Sequence, residues 1–574
     1  MSPSKFLSQS FSPKRPSSQP QPNIAVTAAE MRAIENWMFA GGLPVESLME
    51  KVAGQITQRL LSLYPCSNYP RVGVLVGLGH NGGDAVSVAR ELFLRGYGVA
   101  CVAVSDRFKS LTQSHINYAQ RLGMSWFQST DSGQIAAYLA QIGVDWWIDG
   151  LLGFGLERPV TGILAEVIAT VNAHPAPVVS LDLPSGLESD RGVPLGTAIR
   201  ATHTLCLGLW KRGLWEESSL AYTGSQECLD IGIPPGAIES VFQEEYPPQA
   251  LTLGDIYPGL SLNLSPTSHK YQRGHLLIIA GSQRYRGAVV LAALAARSSG
   301  VGLTSIAVPA SLAPQVSAAV PEAIVMPCPE TAEGSIQSLP PEMPWERLQA
   351  VVCGPGLTLE AAQRILPQLL DPDRVGTAFH AHCPLLLDAD ALNALAALRM
   401  SGGMSSLGQR PAPILLTPHG GEFRRLFPDL AGVESLSRLD QAQQATQRLS
   451  SAGSAGLAPT IVILKGARTI IAPGQDYPPW VNLHSTPALA RGGSGDVLAG
   501  LMGGLLATPG VTEGIQAAPK AAPKAALEAA KAAVYWHSQA GLWAERRYTV
   551  LGVDAWHLAE SLAPALAELL AKTS

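Results

Sequence analysis

A chain of 574 residues exceeds what one ordinary hydrophobic core can organise, so two large domains are expected. Its 45 acidic and 40 basic residues leave a net charge of -5, and only 15% of residues are charged, which excludes a basic nucleic-acid surface and an acidic tail and points to small-molecule partners. Seven cysteines (66, 101, 206, 228, 328, 353, 383) without a CxxC pair argue against a disulfide framework or a zinc site and fit a reducing cytoplasm.

Residues 1–23 are rich in Ser, Pro and Gln, with Lys5, Lys14 and Arg15 and no acid. They read as a disordered tail, with an organellar leader as the alternative; no apolar segment of a secretory signal is present. Over 24–245, helical patterns alternate with the apolar runs Arg71–Gly77, Val99–Val104, Val144–Asp149, Pro177–Asp182 and Ala201–Leu207. These read as buried parallel strands of a doubly wound sheet, whose ligand lies beyond the carboxyl ends of the strands. Three such ends carry Gly77-Leu-Gly-His-Asn-Gly-Gly-Asp84, Asp149-Gly-Leu-Leu-Gly-Phe-Gly155 and Asp182-Leu-Pro-Ser-Gly186. Asn81, Asp149 and Ser185 are oxygen ligands of the kind hard cations prefer. Equally, Asp149 and Asp182 would serve as caps of following helices.

A Pro-rich, charge-poor passage over 246–268 reads as a linker leading into a second α/β domain, 269–574. There the expected strands are His275–Ala280, Leu303–Val308, Ala350–Cys353, Pro384–Asp388, Pro413–Thr417 and Thr460–Leu464. The stretch Ser298–Pro321 lacks charge but carries Pro309, Pro314 and several serines, so it does not read as a membrane span. Ala517–Ala525, with its repeated Ala-Ala-Pro-Lys, reads as a surface loop. The most informative segment is Ala490-Arg-Gly-Gly-Ser-Gly-Asp-Val-Leu-Ala-Gly500, a glycine turn opening an apolar helix. Glycines let backbone N–H groups approach a phosphate, the helix start favours an anion, and Asp496 is placed to take a proton from an attacking hydroxyl. Phosphoryl transfer follows. Other strand ends carry Lys465-Gly466-Ala467-Arg468-Thr469, with donors for a nucleotide, His419 within Thr417-Pro-His-Gly-Gly-Glu-Phe423, and the turn Cys353-Gly-Pro-Gly-Leu357. His419 reads as a capping residue or as one facing the ligand side, and Asp388 and Asp390 as turn or helix-cap residues first.

With His269-Lys270, Ile279–Ser282 and Tyr285–Ala288, these motifs stand in the order found in the ribokinase-like family, and the second half resembles its nucleotide-dependent NAD(P)H-hydrate dehydratases. The resemblance implies that Lys465, Gly466, Ala467, Arg468, Thr469, Gly492, Gly493, Ser494 and Gly495 hold ADP or ATP with Mg2+. It places Ala288, Gly356, His419 and Asp496 against the hydrated dinucleotide. Arg491 stands where that family has a small polar residue; it adds a phosphate contact or points outward. The first half, including Thr27–Met31 and Leu48–Glu50, resembles the NAD(P)H-hydrate epimerase domain. That implies a hydrate site at His80, Asn81, Gly82, Gly83, Asp84, Gly153, Phe154, Gly155, Leu156, Glu157, Arg158, Pro159 and Asp182. It also implies a K+ site at Asn81, Asp149 and Ser185, and Asp182 as the first candidate for proton transfer. His80 departs from the family, which has Asn there.

The expected architecture is thus two doubly wound α/β domains, an N-terminal Rossmann-like epimerase and a C-terminal ribokinase-like dehydratase. Together they imply a cytoplasmic enzyme, a homo-oligomer by resemblance, that repairs hydrated NADH and NADPH (NADHX, NADPHX). The rival is a ribokinase-like kinase of a vitamin precursor or sugar, fused to a non-catalytic dinucleotide sensor.

Overall fold

The computed structural model describes residues 23–243, 246–399, 407, 410–451, 460–517 and 521–572. The expected tail therefore lies outside the described residues, apart from Asn23. The first half holds a seven-stranded parallel sheet in the spatial order Ser125–Gln128, Gly98–Ala103, Arg71–Val76, Trp146–Gly150, Val178–Leu181, His203–Leu207, Ser225–Leu229. Strand order reverses between Arg71–Val76 and Trp146–Gly150, which opens a crevice beyond their carboxyl ends. The turns that follow approach so closely that a Cβ on Gly77 would collide with the Leu151 carbonyl, and one on Gly82 with the Gly77 backbone. Glycine at both positions lets helix His80–Leu94 begin directly at the crevice.

The second half is built on a ten-stranded sheet: Gln249–Ala250, Trp480–Asn482, Thr469–Ala472, Thr460–Leu464, Ile414–Leu416, Leu385–Leu387, Ala350–Cys353, His275–Ile279, Leu303–Pro309, Ile324–Cys328. All neighbours are parallel except Thr469–Ala472, which runs against both of its neighbours. Thr469 is thus the first residue of a strand, and Lys465–Arg468 is the tight connection of an antiparallel pair. The reversal of strand order falls between His275–Ile279 and Ala350–Cys353.

Two readings of loops need correcting. Gln249–Ala250, expected within a linker, pairs with Trp480–Val481 as the edge of the second sheet. The 3-10 turn Gly254–Gly259 lies so close to helix Ala522–Gly552 that a Cβ on Gly259 would collide with the Glu528 carbonyl. Ala522 and Pro523, expected in a surface loop, open that long helix, with Ala522 buried. Proline is tolerated in a first helical turn, where its missing N–H has no intrahelical partner. Residues 518–520 of the same segment lie outside the described residues.

The halves share buried surface. Leu183, Leu187 and Trp215 of the first belong to the same apolar cluster as Val462, Ile470 and Val481 of the second. Ala25–Val26 pairs with Trp210–Lys211, while Ala25 N donates to Pro248 O and Ala250 N donates to Asn23 O. Among the described residues no helix is long and apolar enough to cross a membrane.

Candidate active sites

In the first half a cavity of 780 Å³ opens at the strand reversal, between the turns after Val76 and after Gly150. Of the residues singled out in the sequence, His80, Asn81, Asp84, Gly153 through Arg158 and Asp182 line it. Gly82, Gly83 and Pro159 do not; Gly82 backs onto Gly77, and Gly83 onto the Met49 side chain. Sequence reading missed Glu35, Lys211, Arg32 and Lys109, which also line the cavity. Only Lys211 had a local signal, a Lys-Arg pair in the otherwise apolar passage after strand His203–Leu207.

Asp182 sits at φ 66°, a left-handed conformation costly for a residue with a Cβ. It is held there by its own N–H to Leu205 O at 2.8 Å and by Oδ1, which accepts from Leu207 N at 3.2 Å and from Lys211 Nζ. Lys211 is almost fully buried and also donates to Leu207 O at 2.7 Å. Burial pushes the Glu35 carboxyl up to about 7, Lys211 pulling it down and Asp182 pushing it further up. Burial, with Asp182 and Glu35, raises Asp84 well above the usual carboxylate range. Asp84 therefore keeps its proton near neutral pH. A carboxyl poised near neutrality, such as Glu35, can both donate and accept a proton. His80 occupies the first turn of its helix, and burial and Lys109 hold its imidazole below the usual value.

Asn81, Asp149 and Ser185 do come together. Asp149 is fully buried and accepts from Ser180 Oγ (2.7 Å), Ser185 N (2.9 Å), Ser185 Oγ (2.5 Å) and Leu151 N (3.3 Å). Asn81 Nδ2 donates to Leu152 O at 2.9 Å, and Ser185 Oγ lies 3.3 Å from the same carbonyl. Neither Asp149 nor Asp182 caps a helix, because the next helices begin at Gly162 and Arg212. The helix-cap alternative is therefore set aside for both.

In the second half, Gly493 at φ 93° turns the chain into helix Ser494–Leu506, whose first turn carries Asp496. Ser494 is pinned by His537, with Nε2 3.0 Å from its carbonyl and 3.3 Å from its hydroxyl. Lys465 N donates to Pro418 O at 2.8 Å, which sets the Lys465 turn beside His419. Lys465 Nζ then reaches Asp388 Oδ1 at 2.6 Å and passes so near the glycine turn that a Cβ on Gly495 would lie 3.4 Å from it. Asp388, read first as a turn or cap residue, instead faces this site: Thr417 Oγ1 donates to it at 2.7 Å beside the Lys465 pair. Asp390 keeps a local role, accepting from Asn393 at 2.8 Å. Burial and the Asp388 charge push the Asp496 carboxyl up to about 7 against the pull of Lys465. A base poised near neutrality, a lysine and the N-terminus of a helix thus converge.

His419 caps helix Gly420–Leu426, Nδ1 accepting from Gly421 N at 2.9 Å. Gly356, at φ 64°, meets Ala288 and Tyr285 so closely that a Cβ would lie 2.7 Å from each, which joins the two turns at the strand reversal. Arg468 is buried, and its Nη1 donates to Leu483 O. Arg491 Nη2 donates to Leu551 O at 2.7 Å, so its side chain is engaged on the rim.

Fold and sites define a two-domain α/β enzyme, with a cavity lined by titratable groups at the switch point of one sheet and a glycine-led helix start beside a second. Residues 276–564 match the family described as NAD(P)H-hydrate dehydratase, and residues 45–213 match that described as the YjeF-related protein N-terminus. The chain belongs to the bifunctional NAD(P)H-hydrate repair enzymes. It is 45% identical to the enzyme so named from Synechocystis sp., over 95% of both chains. With that of Thermosynechococcus vestitus it shares 47% identity over 95% of this chain and 98% of the relative. Among solved structures, the ADP/ATP-dependent NAD(P)H-hydrate dehydratase of Bacillus subtilis, co-crystallised with ATP and Mg2+, is 26% identical; the match covers 55% of this chain and 97% of that one, with a TM-score of 0.40.

Proposed function

We propose that this protein restores hydrated NADH and NADPH in the cytoplasm. The first half interconverts the R and S hydrates, and the second dehydrates the S epimer. The observation that carries the reading is Asp496, held near neutrality in the first turn of a glycine-led helix beside the Lys465–Asp388 pair. Asp496 takes the proton of the ring hydroxyl as that oxygen attacks the terminal phosphorus of ADP. AMP leaves, the phosphorylated hydroxyl departs as phosphate, and loss of the proton from the neighbouring ring carbon restores the double bond. With ATP the nucleotide product is ADP. Backbone N–H groups at Gly492, Gly493, Ser494 and Gly495 and the turn Lys465–Thr469 hold the phosphates and nucleotide. Magnesium, when bound with the nucleotide, would neutralise phosphate charge. Ala288, Gly356 and His419 face the dinucleotide.

In the first half, Asp182, with Glu35, Asp84 and Lys211, moves protons at the ring. Asn81, Asp149 and Ser185 would hold K+: the donors are all oxygens and carry a single carboxylate, which suits a monovalent rather than a divalent ion. The ion would supply positive charge beside the turn that lines the cavity. A homo-oligomeric state belongs to the same proposal, and sedimentation measures it.

The test supplies the purified protein with mixed NADHX epimers, magnesium, potassium and either ADP or ATP, and follows the reduced-nicotinamide absorbance. Full recovery is expected with at least one nucleotide. Recovery that stops at the S fraction would refute the epimerase assignment, and a stable phosphorylated product would refute the dehydratase.

A further inference from the structure

The turn Lys465–Arg468 is shaped from both halves of the chain. Lys211 of the first pocket leads into the 3-10 turn Arg212–Trp215, which delivers Glu216 and Glu217 to the second half. Glu217 Oε1 lies 3.0 Å from Arg438 Nη1 and accepts from Arg468 N at 3.4 Å. Arg438 in turn donates from Nη2 to Lys465 O at 3.0 Å and from Nη1 to Arg468 O at 3.2 Å. One guanidinium thus holds both ends of the turn, and a carboxylate from the other half holds the guanidinium. At Gly466 any Cβ would collide with the Glu217 carboxylate and lie 2.6 Å from Arg438 Nη2, so glycine there is what the contact requires.

The contact is built rather than incidental. Arg438 begins helix Arg438–Ser451, and Glu216, only 5% exposed, accepts from Leu439 N at 3.2 Å in that helix's first turn. Arg212 Nη1 approaches Asp440 at 3.6 Å. With the carbonyls of Lys465 and Arg468 both engaged, the turn is restrained from rotating its peptide groups, and its N–H groups keep one orientation.

We propose that Glu217 and Arg438 form an inter-domain positioning pair that presets the nucleotide turn, so that the epimerase half contributes to nucleotide affinity in the dehydratase half. This rests on the reading of Lys465–Thr469 as nucleotide-binding. Preorganisation acts on binding before it acts on the chemical step, so its loss raises the KM for nucleotide more than it lowers kcat.

The experiment measures nucleotide KM and kcat for dehydration of the S epimer in full-length Glu217→Ala, Glu217→Gln, Arg438→Ala and the Glu217→Ala/Arg438→Ala double variant. Epimerisation and thermal melting report on folding. Each alanine variant is expected to raise the ADP KM by about three- to tenfold with a smaller change in kcat, Glu217→Gln less, and the double variant no more than the worse single one. An unchanged KM, or single effects that multiply in the double variant, overturns the inference. Hydrogen exchange of the intact wild-type protein with and without Mg-ADP separates the two levels. Slowed exchange at Gly466–Thr469 upholds the nucleotide reading whatever the variants do, and its absence overturns that reading and the inference with it.

Discussion

Asp496 links stability and activity in opposite senses. Its folded-state pKa is raised from 3.8 to about 7, so the fold favours the protonated acid; the cost of burying the charge is absent at low pH and grows as pH rises between these values. Proton abstraction needs the ionised form. The dehydration rate of the nucleotide-saturated enzyme should therefore fall about tenfold per unit below pH 7, measurable in single-turnover reactions. Asp496→Asn should abolish dehydration yet raise the Tm at pH 8, with the difference vanishing near pH 4; calorimetry at both pH values checks this. At the other site, Asp182→Asn keeps an acceptor for Leu207 N and removes the proposed proton-transfer group. Epimerisation should drop by about 10²–10⁴-fold while dehydration of pure S epimer continues. Lys211→Met breaks the same buried ion pair, and both substitutions should lower the melting temperature, because removing either partner costs about 3–5 kcal/mol.

Helix Ser494–Leu506 is placed by what its glycines omit. A Cβ on Gly500 would collide with the Ala292 carbonyl of helix Arg286–Ser298, one on Gly503 with Val352, and one on Gly504 with Ser299. Gly500→Ala should push the two helices apart, lower the melting temperature and cut dehydration through displacement of Asp496, with epimerisation spared. Assays of both half-reactions on the same preparation decide it. The same element shows what was legible beforehand. Its glycine turn and acid are local features, and the apolar parallel strands announce themselves by continuous runs such as Leu276–Ile279. Strands Ser125–Gln128 and Ser225–Leu229 were missed because they are half-exposed sheet edges whose polar residues carry no apolar run. Asp388 was misjudged for another reason. Its partners Thr417 and Lys465 come from two other strand ends, and only the parallel register brings them together. Glu35 likewise lies on an amphipathic helix, Ala28–Ala40, that gives no hint of the cavity it faces.

At the scale of the whole molecule, the two large sheets of the described residues share an apolar seam around Leu183, Trp215 and Ile470. Sequence reading assigned each half its own chemistry and left the join as a linker, because pairing between distant segments has no local signature. Heat should unfold the halves together, and a chain cut after Phe242 should expose Trp215 and Leu214, both buried in the intact protein. Increased dye binding and a lowered Tm of the separated halves would show it. The short strand Ala25–Val26 carries a different implication, one of time. Its partners are Trp210–Lys211 and the backbone at Pro248 and Ala250, and Ala250 itself pairs with Val481 near the far end of the chain. A nascent polypeptide makes Ala25 early and must wait until the second sheet exists before that segment is fully seated. The beginning of the epimerase half therefore completes its contacts only after the second sheet has been made, a closure of very long range.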